Sequence, residues 1–292
     1  MRMAEYYQKY FPRYDLYDKK IIKFKSKQFY FESNFNGRLN LKKWLKEQPE
    51  ETAREYCINF LKHRKETRNL KYTPSQVEMR TLMFPPIPYI DKLFGDYYET
   101  CEKLGLESKH KRFPHKHFLV SVDEAKLKEY TILIDTREQK PLKFEFPVEV
   151  ATLSYGDYAF RHRDGVAPHY GCLTYVERKS ITDFIGTMSG GLERFKKEIE
   201  RAASDDANLI VLVEESLNTC RSFNYQPHVS KKIRATPEFV FHNVRSLLQE
   251  YSNVQFLFVK NRAEASRVIQ KIFINSGSST FDLQLMYDTK KI

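Results

Sequence analysis

Two kinds of hydrophobic pattern divide the chain near residue 130. From Tyr130 onward, short runs of β-branched and aromatic residues alternate with longer stretches whose apolar positions recur every three or four residues. The first pattern belongs to strands and the second to amphipathic helices, so their alternation predicts an α/β layer fold. Strands are expected at Tyr130–Asp135, Glu149–Leu153, Tyr158–Phe160, Leu173–Lys179, Asn208–Val213 and Val254–Val259. One helix is expected after the cap Ser180, stopping at Ser189-Gly190-Gly191, and another over Leu192–Ala203. A third opens at Thr236-Pro237-Glu238 and carries Val240, Val244, Leu247, Leu248 and Tyr251 on one stripe; a fourth spans Ala263–Ile274. Ser276-Gly277-Ser278-Ser279 opens what reads as a loose tail over 276–292.

The part before Tyr130 reads differently. Residues 5 to 45 interleave aromatics with lysines, and Ile22-Lys23-Phe24-Lys25 suggests a short strand with Lys23 and Lys25 outside. Such interleaving grips phosphates and stacks on bases, or else forms a small aromatic core under a solvated basic face; periodicity cannot separate the two. A helix is expected over Pro49–Asn69, with Ala53, Tyr56, Cys57, Phe60 and Leu61 inside and Lys62, Arg64, Lys65 and Arg68 outside. Thr73-Pro74-Ser75 offers a hydroxyl cap and a proline at the first helical position. Pro85, Pro86 and Pro88 precede a short helix through Leu93, and a last helix runs from about Tyr97 to a cap at Gly105. The chain is thus expected to hold a basic, mostly helical region over 1–116 and an α/β domain over 130–275.

Charge sharpens this division. The formal net charge is +11 and the pI about 9.3, which favours a polyanionic partner. Through Tyr130 there are 27 Lys and Arg against 18 Asp and Glu, and after it 22 against 20, so the excess lies in the first half. No apolar run approaches the ~18 residues of a membrane span, and the N-terminus lacks the apolar core of a signal peptide. No membrane partner is expected, and the location is intracellular: cytoplasm or nucleoid, or nucleus in a eukaryote. Cys57, Cys101, Cys172 and Cys220 are scattered, as free thiols in a reducing compartment are. His110, His115 and His117 lie near Cys101 in sequence but match no ordinary zinc spacing.

Candidate chemistry gathers at the strand Leu173–Lys179. Strand alternation puts Glu177 and Lys179 on one side and Arg178 on the other. Asp157 follows a turn-forming glycine, and Arg163-Asp164-Gly165 and Ala167-Pro168 are loop signals. A hairpin closed by that loop returns Glu177 and Lys179 beside Asp157. Two carboxylates and an ammonium on one wall can hold a hard divalent cation and position a water next to it. Glu-Arg-Lys triplets are common on solvated surfaces, so the triplet alone decides little.

The longer pattern is more specific. Gly156-Asp157, then Glu177-Arg178-Lys179 with Asp183 four residues beyond, and the earlier block Ile134-Asp135-Thr136-Arg137-Glu138, together resemble the XPF-type nuclease family of the PD-(D/E)XK superfamily. The resemblance covers about Tyr130–Phe273. It implies a restriction-endonuclease-like core, with a central mixed sheet flanked by helices, after a smaller, mostly α-helical basic domain. It also implies Mg²⁺ or Mn²⁺ dependence and endonuclease action on DNA, often on branched or flapped substrates in repair or recombination. In that reading Asp157 and Glu177 are the first metal ligands and Asp135 contributes directly or through water. Lys179 orients the water and stabilises the phosphate, and Glu138 is a second-metal or water ligand. Arg137 and Arg178 match family positions as phosphate clamps or as partners of the carboxylates. Asp183 either orients Lys179 or Arg178 or is an ordinary first-turn acid.

Members of that family commonly carry a helix-hairpin-helix pairing domain after the nuclease. Twenty residues follow Ile272, too few for one, so no such domain is expected. Without it, branched-DNA preference and obligate pairing do not carry over safely from the resemblance; a homodimer through the nuclease domain is the expected assembly. The stretch 73–106 also resembles the helical repeat found beside homing endonucleases, through Phe94-Gly95-Asp96-Tyr97 and Leu104-Gly105-Leu106, although tryptophan is usual where Tyr97 stands. With Arg64 and Lys65 on the preceding helix it would grip DNA, or it is a small bundle packed for stability. The function expected is a metal-dependent DNA endonuclease. The alternatives are a site-specific homing-type endonuclease and a nuclease-like fold kept as a non-catalytic DNA-binding subunit.

Overall fold

The computed structural model describes residues 49–82, 86–111, 129–162, 173–274 and 280–292. The aromatic-lysine run with Lys23 and Lys25, the proposed boundary between 116 and 129, and the loop 163–172 lie outside them. The chain divides into two compact units, Met1–His110 and Lys111–Ile292. No described helix is long and apolar enough to cross a membrane.

The first unit is helical where it is described: α1 (Glu50–Arg68), α2 (Gln76–Thr81), α3 (Ile87–Phe94) and α4 (Tyr97–Lys103). The cap of α2 is Ser75 and not Thr73. Its hydroxyl accepts from the Glu78 N–H, and the Glu78 carboxylate accepts from the Ser75 N–H at 2.7 Å, a reciprocal capping box. The signal was legible as Ser-x-x-Glu. Tyr97 is fully buried and donates its hydroxyl to the Pro74 carbonyl at 2.7 Å, so it is a core residue of this unit. Of the four basic residues expected outside α1, Lys62 and Arg68 are exposed, but Arg64 is buried and Lys65 donates to the Leu104 carbonyl at 2.6 Å. The arginine's position on the helix puts it against the unit's interior, and the lysine serves a carbonyl at the end of α4.

The second unit is built on a six-stranded mixed sheet, in the order β2 (Val148–Ala151), β1 (Tyr130–Asp135), β3 (Tyr158–His162), β4 (Leu173–Lys179), β5 (Ala207–Val213), β6 (Val254–Phe258). β3 runs antiparallel to both neighbours, while β4, β5 and β6 are parallel to one another. β5 is apolar almost throughout because helices cover both of its faces. One face is covered by α9 (Arg262–Ile274), whose Val268, Ile269, Ile272 and Phe273 pack on Ile132, Tyr158, Val176 and Leu212. The opposite face carries an aromatic cluster in which Phe184 of α5 (Ile181–Thr187) meets Phe241 of α8 (Pro237–Glu250) and Phe258 of β6. α6 (Leu192–Ser204) lies against β5 through Phe195, Ile199 and Ala202. α7 is the short turn Leu217–Cys220. β2 starts and stops earlier than the pattern suggests, because it pairs with β1 only from Ile132 to Asp135 and then turns so that the Leu153 N–H reaches the Asp135 carboxylate.

The C-terminal segment is not a loose tail over its described part. Residues 283–288 form α10 (Leu283–Asp288), and Leu283, Met286 and Ile292 are buried in the same core as α9. The Gln284 amide accepts from the Phe258 N–H at 2.8 Å and donates to the Phe258 carbonyl at 3.4 Å, imitating a neighbouring strand at the outer edge of β6. An open sheet edge invites pairing with other chains, and this side-chain amide closes part of it.

Candidate active site

The hairpin between β3 and β4 sets the site. Gly156 has φ +59°, and a Cβ there would lie 2.8 Å from the Val176 carbonyl oxygen, so only glycine fits the turn that delivers Asp157 to β4. The Asp157 N–H donates to the Val176 carbonyl at 2.8 Å, and the Arg178 N–H donates to Asp157 Oδ2 at 2.7 Å. Main-chain bonds thus lock Asp157 beside Glu177 and Lys179. Strand alternation keeps those two on one wall, where Lys179 Nζ bonds Glu177 Oε1 at 2.7 Å and lies 5.4 Å from the centre of the Phe195 ring. Burial, with the Glu177 and Glu138 charges behind it, pushes the Asp157 carboxyl up to about 7.

Arg178 points the other way, as alternation requires. Its guanidinium forks onto Glu138 with two bonds of 2.9 Å and reaches Glu214 Oε2 at 3.0 Å. It is a partner of carboxylates in this structure, not an outward phosphate clamp. Glu214 in turn accepts from Arg262 at 3.0 Å, and Arg262 also reaches the Lys140 and Pro141 carbonyls, tying α9 to the turn after β1. Glu138 completes that turn by accepting from the Lys140 N–H at 2.7 Å.

Asp135 stands at the end of β1 and is 1 % exposed. Both of its oxygens are engaged: Oδ1 accepts from the Arg137 N–H and Nε at 2.8 and 2.6 Å, and Oδ2 accepts from Arg137 Nη2 and the Leu153 N–H at 3.1 and 2.8 Å. These bonds fix the β1 turn and the exit from β2. Arg137 remains largely exposed while making them. Asp183 is bonded to Ser180, taking the hydroxyl proton on Oδ2 at 2.6 Å, and acts as a first-turn acid of α5. The structure therefore brings Asp157, Glu177 and Lys179 together, and assigns Asp135, Glu138 and Arg178 bonds that brace them.

One nearby residue carries no sequence motif. Glu198 on α6 feels the charges of Glu177 and Lys179. Burial and the Glu177 charge push its carboxyl up. In the sequence it is one charge among many on an amphipathic helix, and only the packing of α6 on the sheet distinguishes it.

Among the described residues no three His, Cys, Asp or Glu side chains form a ready-made metal cluster. The donor set still suits a hard cation. Asp157 has no side-chain cation within salt-bridge distance among the described residues, sits in a partly desolvated pocket beside a second carboxylate, and offers oxygen donors of the kind that bind Mg²⁺ and Mn²⁺.

A mixed sheet with helices on both faces, carrying Asp157, Glu177 and Lys179 on one hairpin wall, defines a nuclease-type α/β domain. Residues 134–272, just under half of the chain, match the family model of the ERCC4 domain, the XPF-type nuclease domain. No curated protein matches the chain. Solved structures similar to it include XPF from Aeropyrum pernix in complex with DNA, at 19% identity over 50% of this chain and 64% of that one, with a TM-score of 0.37. XPF from Aeropyrum pernix matches a second time, at 19% identity over 50% of this chain and 61% of that chain, with the same TM-score of 0.37. The chain thus spans less than two-thirds of those relatives' length.

Proposed function

We propose that this protein is a divalent-metal-dependent endonuclease that hydrolyses DNA phosphodiester bonds, with structural preference for flapped, forked or branched DNA in repair or recombination. The observation that carries the reading is the β3–β4 wall, where Asp157 is held by main-chain bonds beside Glu177 and Lys179 within an XPF-type domain. Asp157 and Glu177 would hold Mg²⁺ or Mn²⁺. Such an ion, when bound, neutralises phosphate charge and makes a water more acidic. Lys179, steered by Glu177 and backed by the Phe195 ring, presents its ammonium to the attacking water and the phosphate oxygens. Arg137, exposed beside this wall, has two guanidinium nitrogens engaged and offers the remaining N–H groups to the DNA backbone.

The test is a panel of labelled duplex, flap, fork and junction DNAs incubated with the full chain in Mg²⁺, Mn²⁺ and EDTA. Cleavage should need the metal and favour a branched substrate. Asp157→Ala should abolish cleavage with DNA affinity nearly intact, and Lys179→Ala should slow single-turnover cleavage about 10²–10³-fold. Cleavage undiminished after exhaustive chelation would overturn the reading. DNA binding without cleavage in either metal would make the chain a non-catalytic subunit.

A further inference from the structure

An arginine on a helix surface commonly pairs with an acid one turn away, and Arg201 of α6 has such an acid in Asp205. The two do not pair. Asp205 Oδ2 accepts from the Tyr155 hydroxyl at 2.6 Å, and that hydroxyl also lies 3.0 Å from the Arg201 carbonyl oxygen. The exposed guanidinium stands over the Tyr155 ring instead, 5.9 Å from its centre. Among the described residues it makes no salt bridge and donates no hydrogen bond. Tyr155 therefore steadies the side chain, draws off that carboxylate and leaves the guanidinium donors to solvent.

This arrangement sits at the hairpin. Tyr155 comes two residues before Asp157, and its ring meets that of Tyr175 edge-on, with 5.4 Å between centres. Tyr175, Glu177 and Lys179 alternate onto one wall of β4. The turn that carries Tyr155 is also held by Arg137, which donates to the Leu153 carbonyl at 3.2 Å. The opposite flank of α6 serves the fold: Lys196 pairs with Glu250, and Glu200 accepts from Tyr251. Arg194, two turns before Arg201 on its own flank, is exposed and makes no salt bridge among the described residues. The two arginines are about 10 Å apart along the helix axis, which is roughly three base steps of a DNA strand.

We propose that Arg201, stacked on Tyr155, binds a backbone phosphate of the DNA a few nucleotides from the bond that is cut, and so sets where along the strand the wall of Asp157, Glu177 and Lys179 acts. This rests on reading the hairpin as a nuclease site. A planar fork of donors suits a phosphate, and the ring beneath it holds the fork in place before DNA arrives.

The test uses the full chain and one labelled fork DNA, with binding titrated at several salt concentrations in EDTA and cleavage followed in Mg²⁺. Arg201→Ala should weaken binding several-fold and make the slope of log affinity against log salt shallower by about 0.9. Arg201→Lys keeps the charge and should retain most of the slope. Lys196→Ala removes an equal charge from the opposite flank and should leave the slope within error of wild type. Tyr155→Phe keeps the ring but frees Asp205 to pair with Arg201, and should weaken binding in the same direction by less. At saturating DNA, Arg201→Ala should cut at close to the wild-type rate but spread its products over neighbouring bonds. A wild-type slope in Arg201→Ala, or in Arg201→Gln should the Ala variant fail to fold, overturns the proposal and leaves Arg201 as a solvated surface charge. Wild-type protein that binds no fork DNA overturns the nuclease reading itself, a result distinct from the first.

Discussion

The Arg178 main-chain N–H donates to the Asp157 carboxylate at 2.7 Å, while the guanidinium of the same residue turns to the other face of β4 and forks onto Glu138. One residue thus orients the wall that faces the site and braces the layer behind it. The brace is nearly dry, with the Glu138 side chain 4% exposed and that of Arg178 15%.

Breaking such a pair from one side leaves an uncompensated buried charge. Arg178→Met should cost about 3–5 kcal/mol in urea denaturation, because Glu138 and Glu214 lose their shared partner. Adding Glu138→Gln should recover part of that loss. A single-variant cost within experimental error would show that water enters the pair in solution.

Gly156→Ala forces a side chain into the left-handed region and into the Val176 carbonyl, 2.8 Å from the new Cβ. The backbone conformation alone costs about 1–2 kcal/mol. The variant should therefore lose more than that in chemical denaturation and should bind Mn²⁺ more weakly than wild type. An unchanged midpoint would mean that the turn is not fixed as drawn.

His110 closes the first unit, fully buried, and burial beside Lys109 lowers its pKa to about 3 from an ordinary 6.5. Its folded pKa lies below the unfolded one, so the unfolded chain binds the proton first. Stability should be full above pH 6.5 and fall toward pH 3 at up to about 1.4 kcal/mol per pH unit. His110→Phe should flatten that decline, measured by circular dichroism melts from pH 7 to pH 4. Equal acid sensitivity in both proteins would place the titration elsewhere.

DNA affinity should follow the charge. The segment through Tyr130 holds 27 Lys and Arg against 18 Asp and Glu, whereas the rest is nearly balanced at 22 against 20. Each phosphate contact adds about −0.9 to the slope of log affinity against log salt on duplex DNA. A polypeptide of residues 111–292 should bind one duplex more weakly and with a shallower slope than the full chain, in titrations at three salt concentrations. Equal affinity and slope would make the first half a scaffold or a protein-docking surface.

Strand periodicity and turn chemistry act over a few residues, and what they govern was legible in the sequence. Tyr130–Asp135 and Leu173–Lys179 are strands over the expected residues, Ser180 and Thr236 cap the helices that follow them, and alternation alone separates Glu177 and Lys179 from Arg178. The hairpin that returns Glu177 to Asp157 was readable too, because a glycine and a loop of fixed length leave the chain few other paths. What the tertiary structure decided is which polar groups end as partners. Arg64 reads as an outward charge, yet it is buried; the bonds that hold both oxygens of Asp135, from Arg137 and the Leu153 N–H, come only with the packed turn. Leu283, Met286 and Ile292 are too few to show a period after a Ser-Gly run, and they become core only because α9 and β6 leave a surface for them. Local pattern fixes backbone direction and face. The partner of a charge depends on residues distant in sequence, and only the packed sheet brings those together.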